Sequence, residues 1–451
     1  MPHADHPAWG FFIFVSLLEN FMATIEEIYR LFLRFPRITT DSRNVITDSV
    51  FFGIKGDQFD GNRFAAEALS KGAAFAITDD PSVMEGDRFI LVPDTLKALQ
   101  QLAAIHRGRV NAKIIGITGS NGKTTTKELI GNVLSSTFKT VITRGNLNNH
   151  IGVPLTVLSL KEDTSFAVVE MGANHPGEIA DLCRIARPDF GIITNIGKAH
   201  LEGFGSFEGV VKAKSELYDF IRQGDGIVFV NQDNQLLRRL SDGMKIFSYG
   251  SGENAGCKGE IAEREPSLAV AWKAGKLSGF VRTRLYGDYN FENVMAAIAI
   301  GLYFGVSPEK IENAISACQP ENNRSQVTRT DHNVLVLDAY NANPSSMAAA
   351  LNNFHIYTAP AKMIILGDMM ELGEHSLEEH REIIALVRKL SFNQVCFVGE
   401  QFSQAAKGGH ELCFTGMQQA EKWFRDHPVR NMTILLKGSR KMQLEKLSNL
   451  L

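Results

Sequence analysis

Disulfide chemistry has little to work with here. Five cysteines in 451 residues, Cys183, Cys257, Cys318, Cys396 and Cys413, are scattered with no C-x-x-C pair. An odd, dispersed set reads as reduced, buried thiols in the cytoplasm rather than as a disulfide framework or a catalytic thiol. An excess of one charge is also missing. The formal net charge of −3 carries no polyanion-binding signature, so no nucleic-acid partner is expected. Any phosphate binding must come from local basic or glycine-rich pockets. Long apolar runs are absent too. Trp9 to Leu18 is apolar for only ten residues, too short to span a bilayer. No Lys or Arg precedes it and no small-residue cleavage site follows, which argues against a signal peptide. Met22 precedes a more ordinary helix start at Thr24-Ile25-Glu26-Glu27. Residues 1–21 are therefore expected to be an upstream extension.

What is present is an ordinary soluble composition, 44% apolar and 22% charged. At about 150 residues per domain, the length predicts about three domains. The most informative stretch is Ile114 to Thr126, IIGITGSNGKTTT. An apolar strand signal ends at Gly119, Asn121 and Gly122, and Lys123, Thr124 and Thr125 lead into a helix-compatible run. Glycines let backbone N–H groups approach an anion, and a helix start adds free donors and partial positive charge. Lys123 would reach the β/γ-phosphates and the Thr124 hydroxyl a Mg²⁺ ion. The spacing is G-x-x-G-x-x-G-K-T; strict Walker A spacing would need glycine where Ile117 stands.

Before this loop, residues 22–109 read as a small α/β domain, with strands predicted over Val50–Lys55, Ala74–Thr78 and Phe89–Val92. Ser42-Arg43 sits in a polar loop that either receives an anion or is a solvated turn. Residues 110–320 form the expected nucleotide domain. The amide-rich 144–154 segment, with Asn148 and Asn149, reads as a loop closed by Pro154, suited to sugar or phosphate ester oxygens or simply to turn chemistry. Glu170 ends an apolar strand downstream of the phosphate loop, the place of a Mg²⁺ ligand or water-positioning acid. His200 follows another strand end in a glycine-rich loop. Lys212 and Lys214 lie on a helix; a lysine carbamylated by CO₂ could ligate a metal, and an unmodified one is a solvated face. Asn290 and Asn293 share a helix face that suits an adenine edge or a cap. From 321 to 451, β and α signals alternate, which predicts a Rossmann-like doubly wound sheet with strands near 334–338, 363–366, 395–398, 412–414 and 433–436. That region lacks G-x-G-x-x-G, so no dinucleotide is implied. Its polar strand ends include Asp338, Tyr340, Asn341 and Asn343, and ligands bind at such ends.

Together, GITGSNGKTTTKE, NLNNHIGVPLT, VVEMGANHPGEI, TNIGKAHLEGFGS, AKSELY, DAYNANPSSM, LGDMMELG and LKGSRKM resemble the Mur ligase family. DAYNANP with LGDMMELG narrows the likeness to its D-alanyl-D-alanine-adding branch. The likeness runs from about Met22 to the C-terminus. It implies an α/β protein of three domains: a UDP-sugar-binding domain (22–109), a P-loop ATPase domain with a mostly parallel sheet (110–320) and a Rossmann-like domain binding the dipeptide (321–451). It implies ATP-driven amide bond formation on UDP-N-acetylmuramoyl-tripeptide through an acyl phosphate, with two Mg²⁺ ions, in a cytoplasmic monomer. By matching motif, Lys123 and Thr124 hold phosphates and the first ion, and Glu170 ligates magnesium. His200 and carbamylated Lys214 hold the second ion. Asn290 and Asn293 contact adenine, and Arg324 and Asp338 close over the nucleotide. Ser42, Arg43, Asn148 and Asn149 face the UDP-sugar, while Tyr340, Asn341 and Asn343 face the dipeptide. Tyr289 stands where the family often has His, and Asn323 where Gly often precedes the Arg. Two rivals remain. One is a related ligase with another amino substrate, although Ser345 follows Asn343-Pro344 where the diaminopimelate-adding enzyme has Arg. The other is a nucleotide-gated binding module.

Overall fold

The first helix starts where the sequence supplies a cap. Glu27 N–H donates to Thr24 Oγ1, and Thr24 N–H donates back to Glu27 Oε2 at 2.8 Å, a capping box that opens Ile25–Arg34. Ile28, Tyr29 and Phe32 share its buried face. The computed structural model describes residues 22–56, 58–265, 267–319 and 324–451. The expected extension over 1–21, the junction expected at 320–321 and the departure at Asn323 lie outside the described residues. The chain divides into two compact units.

The first unit holds the described residues up to 112 together with 146–164 and 184–187. Its sheet is all parallel, in the order Arg37–Thr39, Ser49–Phe52, Phe75–Thr78, Phe89–Leu91. Ser49, Val50, Phe51 and Phe52 are all buried, as a strand covered on both faces requires. The strand predicted to run to Lys55 stops at Phe52. Lys55–Gly56 instead pairs with Phe59–Asp60 in a separate hairpin. Buried Asn62, held by Thr78 Oγ1 at 2.7 Å and by Asp79 Oδ1 at 2.8 Å, draws the chain inward just beyond this hairpin. Thr95–Arg107 begins where Asp94 caps the N–H of Lys97. The helix Gly152–Leu158 packs against it. That helix corrects the reading of 144–154 as a loop: Pro154 lies in a first helical turn, where its missing N–H costs nothing.

The second unit contains a nine-stranded sheet. From one edge its strands are Leu277–Arg282, Ala269–Ala274, Cys257–Glu263, Lys245–Gly250, Ile227–Asn231, Phe190–Ile193, Lys113–Thr118, Phe166–Glu170 and Thr140–Ile142. The first three pair antiparallel, as a meander, and the remaining pairings are parallel. Its core joins Ile115 and Ile117 of the central strand to Leu129, Ile130 and Val133 of the helix Lys123–Ser135 and to the helix Phe291–Tyr303. The same unit contains a six-stranded sheet in the order Gln326–Arg329, Val334–Asp338, Thr433–Lys437, Lys362–Gly367, Gln394–Val398, Leu412–Phe414. Only its first strand is antiparallel, an edge the alternation pattern did not announce. Asp338, Lys437 and Gly367 end three adjacent strands, so their polar ends converge.

Four short helices were also not foreseen: Leu201–Phe204, within the stretch read as a glycine-rich loop after His200, and Gln235–Leu240, Pro308–Ala317 and Glu400–Ala405. The helix predicted over Met442–Leu450 is two 3-10 turns instead, because Gln443 takes a left-handed φ of 53° between them. Four cysteines are buried as expected, but Cys413 is exposed on the edge strand. Among the described residues no helix is long and apolar enough to cross a membrane.

Candidate active site

The phosphate loop joins the central strand Lys113–Thr118 to the helix Lys123–Ser135. Two glycines make the turn. Gly119 has φ 145°, and a Cβ there would meet Thr194 Oγ1 at 2.0 Å. Gly122 has φ 77°, and a Cβ there would meet Asn293 Oδ1 at 2.6 Å. No side chain caps this helix start, so its first-turn donors face the loop. The helix begins at Lys123, three residues earlier than the run at Thr126 indicates.

Lys123 Nζ folds back to donate to Gly119 O at 2.7 Å and Ser120 O at 3.4 Å. Burial pushes its pKa down, with Arg324 adding to the effect while Glu170 and Glu371 oppose it. Thr124 Oγ1 donates to Glu170 Oε2 at 3.0 Å. The Glu170 backbone is fixed in turn by Thr143 Oγ1, 3.0 Å from its N–H. Lys214 is buried on the helix Phe207–Gln223, where Nζ donates to Ala173 O at 3.4 Å. Burial and the like charge of Lys123 pull its pKa down to about 7. The solvated-face alternative therefore does not hold for Lys214. An amine that is substantially neutral near pH 7 is one that CO₂ can carbamylate. Phe204 lies under both Lys214 Nζ, at 5.2 Å, and the His200 ring, at 6.3 Å. His200 Nδ1 stands 2.5 Å from Glu371 Oε2, close enough for an ion pair though not aligned as a hydrogen bond. The neighbouring His200 ring holds the Glu371 carboxyl below its ordinary pKa.

The strand ends of the six-stranded sheet meet this loop directly. Asn343 caps the helix Pro344–Ile356 and donates Nδ2–H to Asn121 Oδ1 at 2.8 Å. Lys198 donates its N–H to Ser345 Oγ at 2.9 Å and its ammonium to Glu379 at 2.7 Å. Arg324 lies over the Tyr340 ring at 3.8 Å, and its buried Nε has no hydrogen-bond partner among the described residues. Asp338 accepts from buried Lys437 at 2.6 Å. Asn290 donates to Tyr286 O and Ser325 Oγ, while Asn293 donates to Asn290 and accepts from Thr126 at 2.9 Å. Neither amide caps the helix, and both are turned to internal partners. Tyr289, at the departure noted in the sequence, bonds Ser325 Oγ at 3.1 Å. Asn341 Oδ1 accepts from the next N–H, that of Ala342.

Ser42, Arg43, Asn148 and Asn149 belong to the first unit. Arg43 forms a bidentate pair with Asp41, at 2.8 and 2.9 Å, and this pairing pulls the Asp41 pKa down to about 2. The Ser42 carbonyl accepts from Lys71 at 2.9 Å. Asn149 Oδ1 accepts from the N–H groups of Ile151 and Gly152.

The uncapped helix start, the glycine cradle and the orphaned Arg324 Nε fit a polyphosphate. Thr124 and Glu170 offer the oxygen ligands that a hard cation prefers. Among the described residues no three His, Cys, Asp or Glu side chains form an all-protein metal cage. Mg²⁺ seldom needs one, since it is commonly held by one or two carboxylates, waters and substrate phosphates.

Residues 35–107 match the description "Mur ligase family, catalytic domain", 117–301 "Mur ligase middle domain" and 323–440 "Mur ligase, glutamate ligase domain". A Bacillus subtilis protein named UDP-N-acetylmuramoyl-tripeptide–D-alanyl-D-alanine ligase is 34% identical over 91% of this chain and 92% of its own length. The chain belongs to the Mur ligase family. The Escherichia coli protein of the same name is 31% identical to this Mur ligase over 91% of the chain and 92% of its own length. Among solved structures, MurF from Acinetobacter baumannii superposes with a TM-score of 0.83 at 35% identity, covering 92% of both chains. MurF from Thermotoga maritima in complex with ADP gives 0.81 at 27% identity, covering 92% of this chain and 96% of that one. Family membership and the ADP complex support ATP use and the expected three-domain α/β class.

Sequence reasoning passed over Lys127, Lys198, Glu371 and Lys437. All four lie within the stretches GITGSNGKTTTKE, TNIGKAHLEGFGS, LGDMMELG and LKGSRKM. Only Lys127, a lysine four residues after Lys123 and thus on the same helix face, had a readable positional signal.

Proposed function

We propose that this Mur ligase joins D-alanyl-D-alanine to UDP-N-acetylmuramoyl-tripeptide, with ATP converted to ADP and phosphate. The observation that carries the reading is the Asn343–Asn121 bond, which seats the polar strand ends of the last sheet on the phosphate loop. The names of the relatives support the choice of substrates.

A carboxylate is a poor target for an amine because it is anionic and lacks a leaving group. Transfer of the γ-phosphoryl group to the tripeptide's terminal carboxylate makes an acyl phosphate and releases ADP. The dipeptide amine then attacks the acyl carbon, phosphate leaves, and a proton is lost as the amide forms. Lys123 and Arg324 stabilise charge on the transferring group, and the first-turn N–H groups hold the phosphates. Asn121 and Asn343 set the distance between the loop and the dipeptide side, where Tyr340 and Asn341 stand. Asn290 and Asn293 brace the loop from the adenine side, and Asp338 closes beside the nucleotide. Ser42, Arg43, Asn148 and Asn149 receive the UDP-sugar. Thr124 and Glu170 hold one Mg²⁺, and His200 with carbamylated Lys214 the other. When bound, the ions supply charge neutralisation of crowded anions. The roles follow domains at 22–109 for the UDP-sugar, 110–320 for ATP and 321–451 for the dipeptide. The expected setting is a monomer in the cytoplasm, where ATP is available.

A phosphate-release assay tests this. Release should require ATP, Mg²⁺, the UDP-peptide and D-alanyl-D-alanine together, and product mass should equal that of the amide. Phosphate release indifferent to the dipeptide would point to a nucleotide-gated binding module.

A further inference from the structure

Several charged side chains at this site have no part in that scheme, and Lys127 is among the most deeply buried of them. Lys127 lies about one helical turn beyond Lys123, and its side chain is 1% exposed. Lysines are seldom buried so fully unless paired. Its Nζ donates to Gly145 O at 2.8 Å and stands 3.6 Å from Glu170 Oε2, on a side chain that is 2% exposed. Thr124 meets the same carboxylate. Lys123, the other nearby lysine, spends its short contacts on Gly119 O and Ser120 O. Removing one member of a buried ion pair leaves the other charge uncompensated, which costs more than removing both.

Resting on the reading of Glu170 as a Mg²⁺ ligand, we propose that Lys127 is a positioning residue, the resident counter-cation of Glu170. It neutralises the carboxylate and steadies it against Thr124 before nucleotide arrives. Its positive charge also opposes a divalent ion at the same oxygens. Mg²⁺ is then held tightly only when phosphate oxygens add their negative charge. The competing role is mechanical: any long donor side chain that pins the Gly145 carbonyl would then serve. The two roles differ in what happens when Glu170 loses its charge.

The test uses the full chain as wild type, Lys127→Met, Glu170→Gln and the double variant. Each is melted in EDTA and in Mg²⁺, and Mg²⁺ is titrated calorimetrically in the presence of ADP. A counter-cation predicts that Lys127→Met melts several degrees lower in EDTA, at roughly the several-degree scale of a lost buried partner. Mg²⁺ should restore much of that loss, and Mg²⁺ affinity should rise about tenfold because a nearby like charge is gone. The double variant should melt above Lys127→Met in EDTA. A double variant no more stable than Lys127→Met, or an unchanged Mg²⁺ affinity in Lys127→Met, would overturn the proposal. If Lys127→Met fails to fold, the double variant must still fold and Lys127→Arg must keep wild-type Mg²⁺ affinity; failure of either also overturns it. Unchanged Mg²⁺ affinity in the Glu170→Gln single variant would instead remove Glu170 from the metal site, a separate failure.

Discussion

Around the phosphate loop, Thr126 reaches Asn293 and Asn343 reaches Asn121, partners 167 and 222 residues apart along the chain. Around the Ser42–Arg43 turn the partner of Arg43 is Asp41, two residues away, and Asn149 bonds N–H groups two and three residues on. Both regions are polar, and both looked functional in the sequence. They differ in what holds them. The first is built by tertiary structure, so its geometry is preset before a ligand arrives. The second is held largely by local turn bonds, with Lys71 reaching the Ser42 carbonyl and Gln100 the His150 carbonyl among its ties to more distant parts of the chain. A ligand received there, as proposed, would be met by groups that first leave, or share, these partners.

The largest effect should come from Lys123→Ala. Removing charge stabilisation at the transferring phosphoryl group should cost about 10²–10³ in ligation rate, about 3–4 kcal/mol. Phosphate release with all substrates present measures it, and full turnover would place the chemistry elsewhere. Thr126→Val removes the donor to Asn293 Oδ1 and leaves that acceptor buried. Stability should fall by about 1–3 kcal/mol in urea titration. A loss no larger than a surface change produces would break the contrast between the two regions.

A third effect sharpens the contrast through pH. Lys214 releases its proton at about 7 in the folded chain, against about 10.4 when unfolded. Between those values the unfolded state holds the extra proton. Stability should therefore rise with pH, by up to about 1.4 kcal/mol per unit from this group, while below pH 7 both states are charged and the burial penalty is complete. Lys123 is shifted the same way, so Lys214→Met should reduce the slope between pH 7 and 9 without abolishing it. In CO₂-free buffer, where the amine is unmodified, a variant that keeps the whole slope would show that Lys214 is solvated after all. The smallest effect belongs to Arg43→Ala. Its exposed pair with Asp41 contributes little, so the melting temperature should move by no more than about 1 °C. The KM for the UDP-peptide should rise while ATP binding is unchanged. An unchanged KM would leave Arg43 as a solvated turn.

The parallel strands of the last region were legible to within about a residue, most clearly Lys362–Gly367 and Thr433–Lys437, because buried parallel strands are continuous apolar runs, whereas the antiparallel edge Gln326–Arg329 was not. The helix at Gly152–Leu158 was hidden because Pro154 reads as a breaker, while only its position in the first turn makes it harmless. Lys127 was hidden because its charge suggests a solvated face, and the carboxylate that buries it lies far along the chain.

By itself the sequence determined the strand, glycine turn and helix of the phosphate loop, since backbone conformation there follows from which residues tolerate positive φ and which start a helix. It also determined the order of strands and helices along the chain, through hydrophobic period. Only the tertiary structure decided which polar groups meet. Asn343 rests on Asn121, His200 turns to Glu371, and Lys214 and Lys127 lose their water. Burial and charge pairing depend on what packs from distant parts of the chain, and no local pattern encodes that.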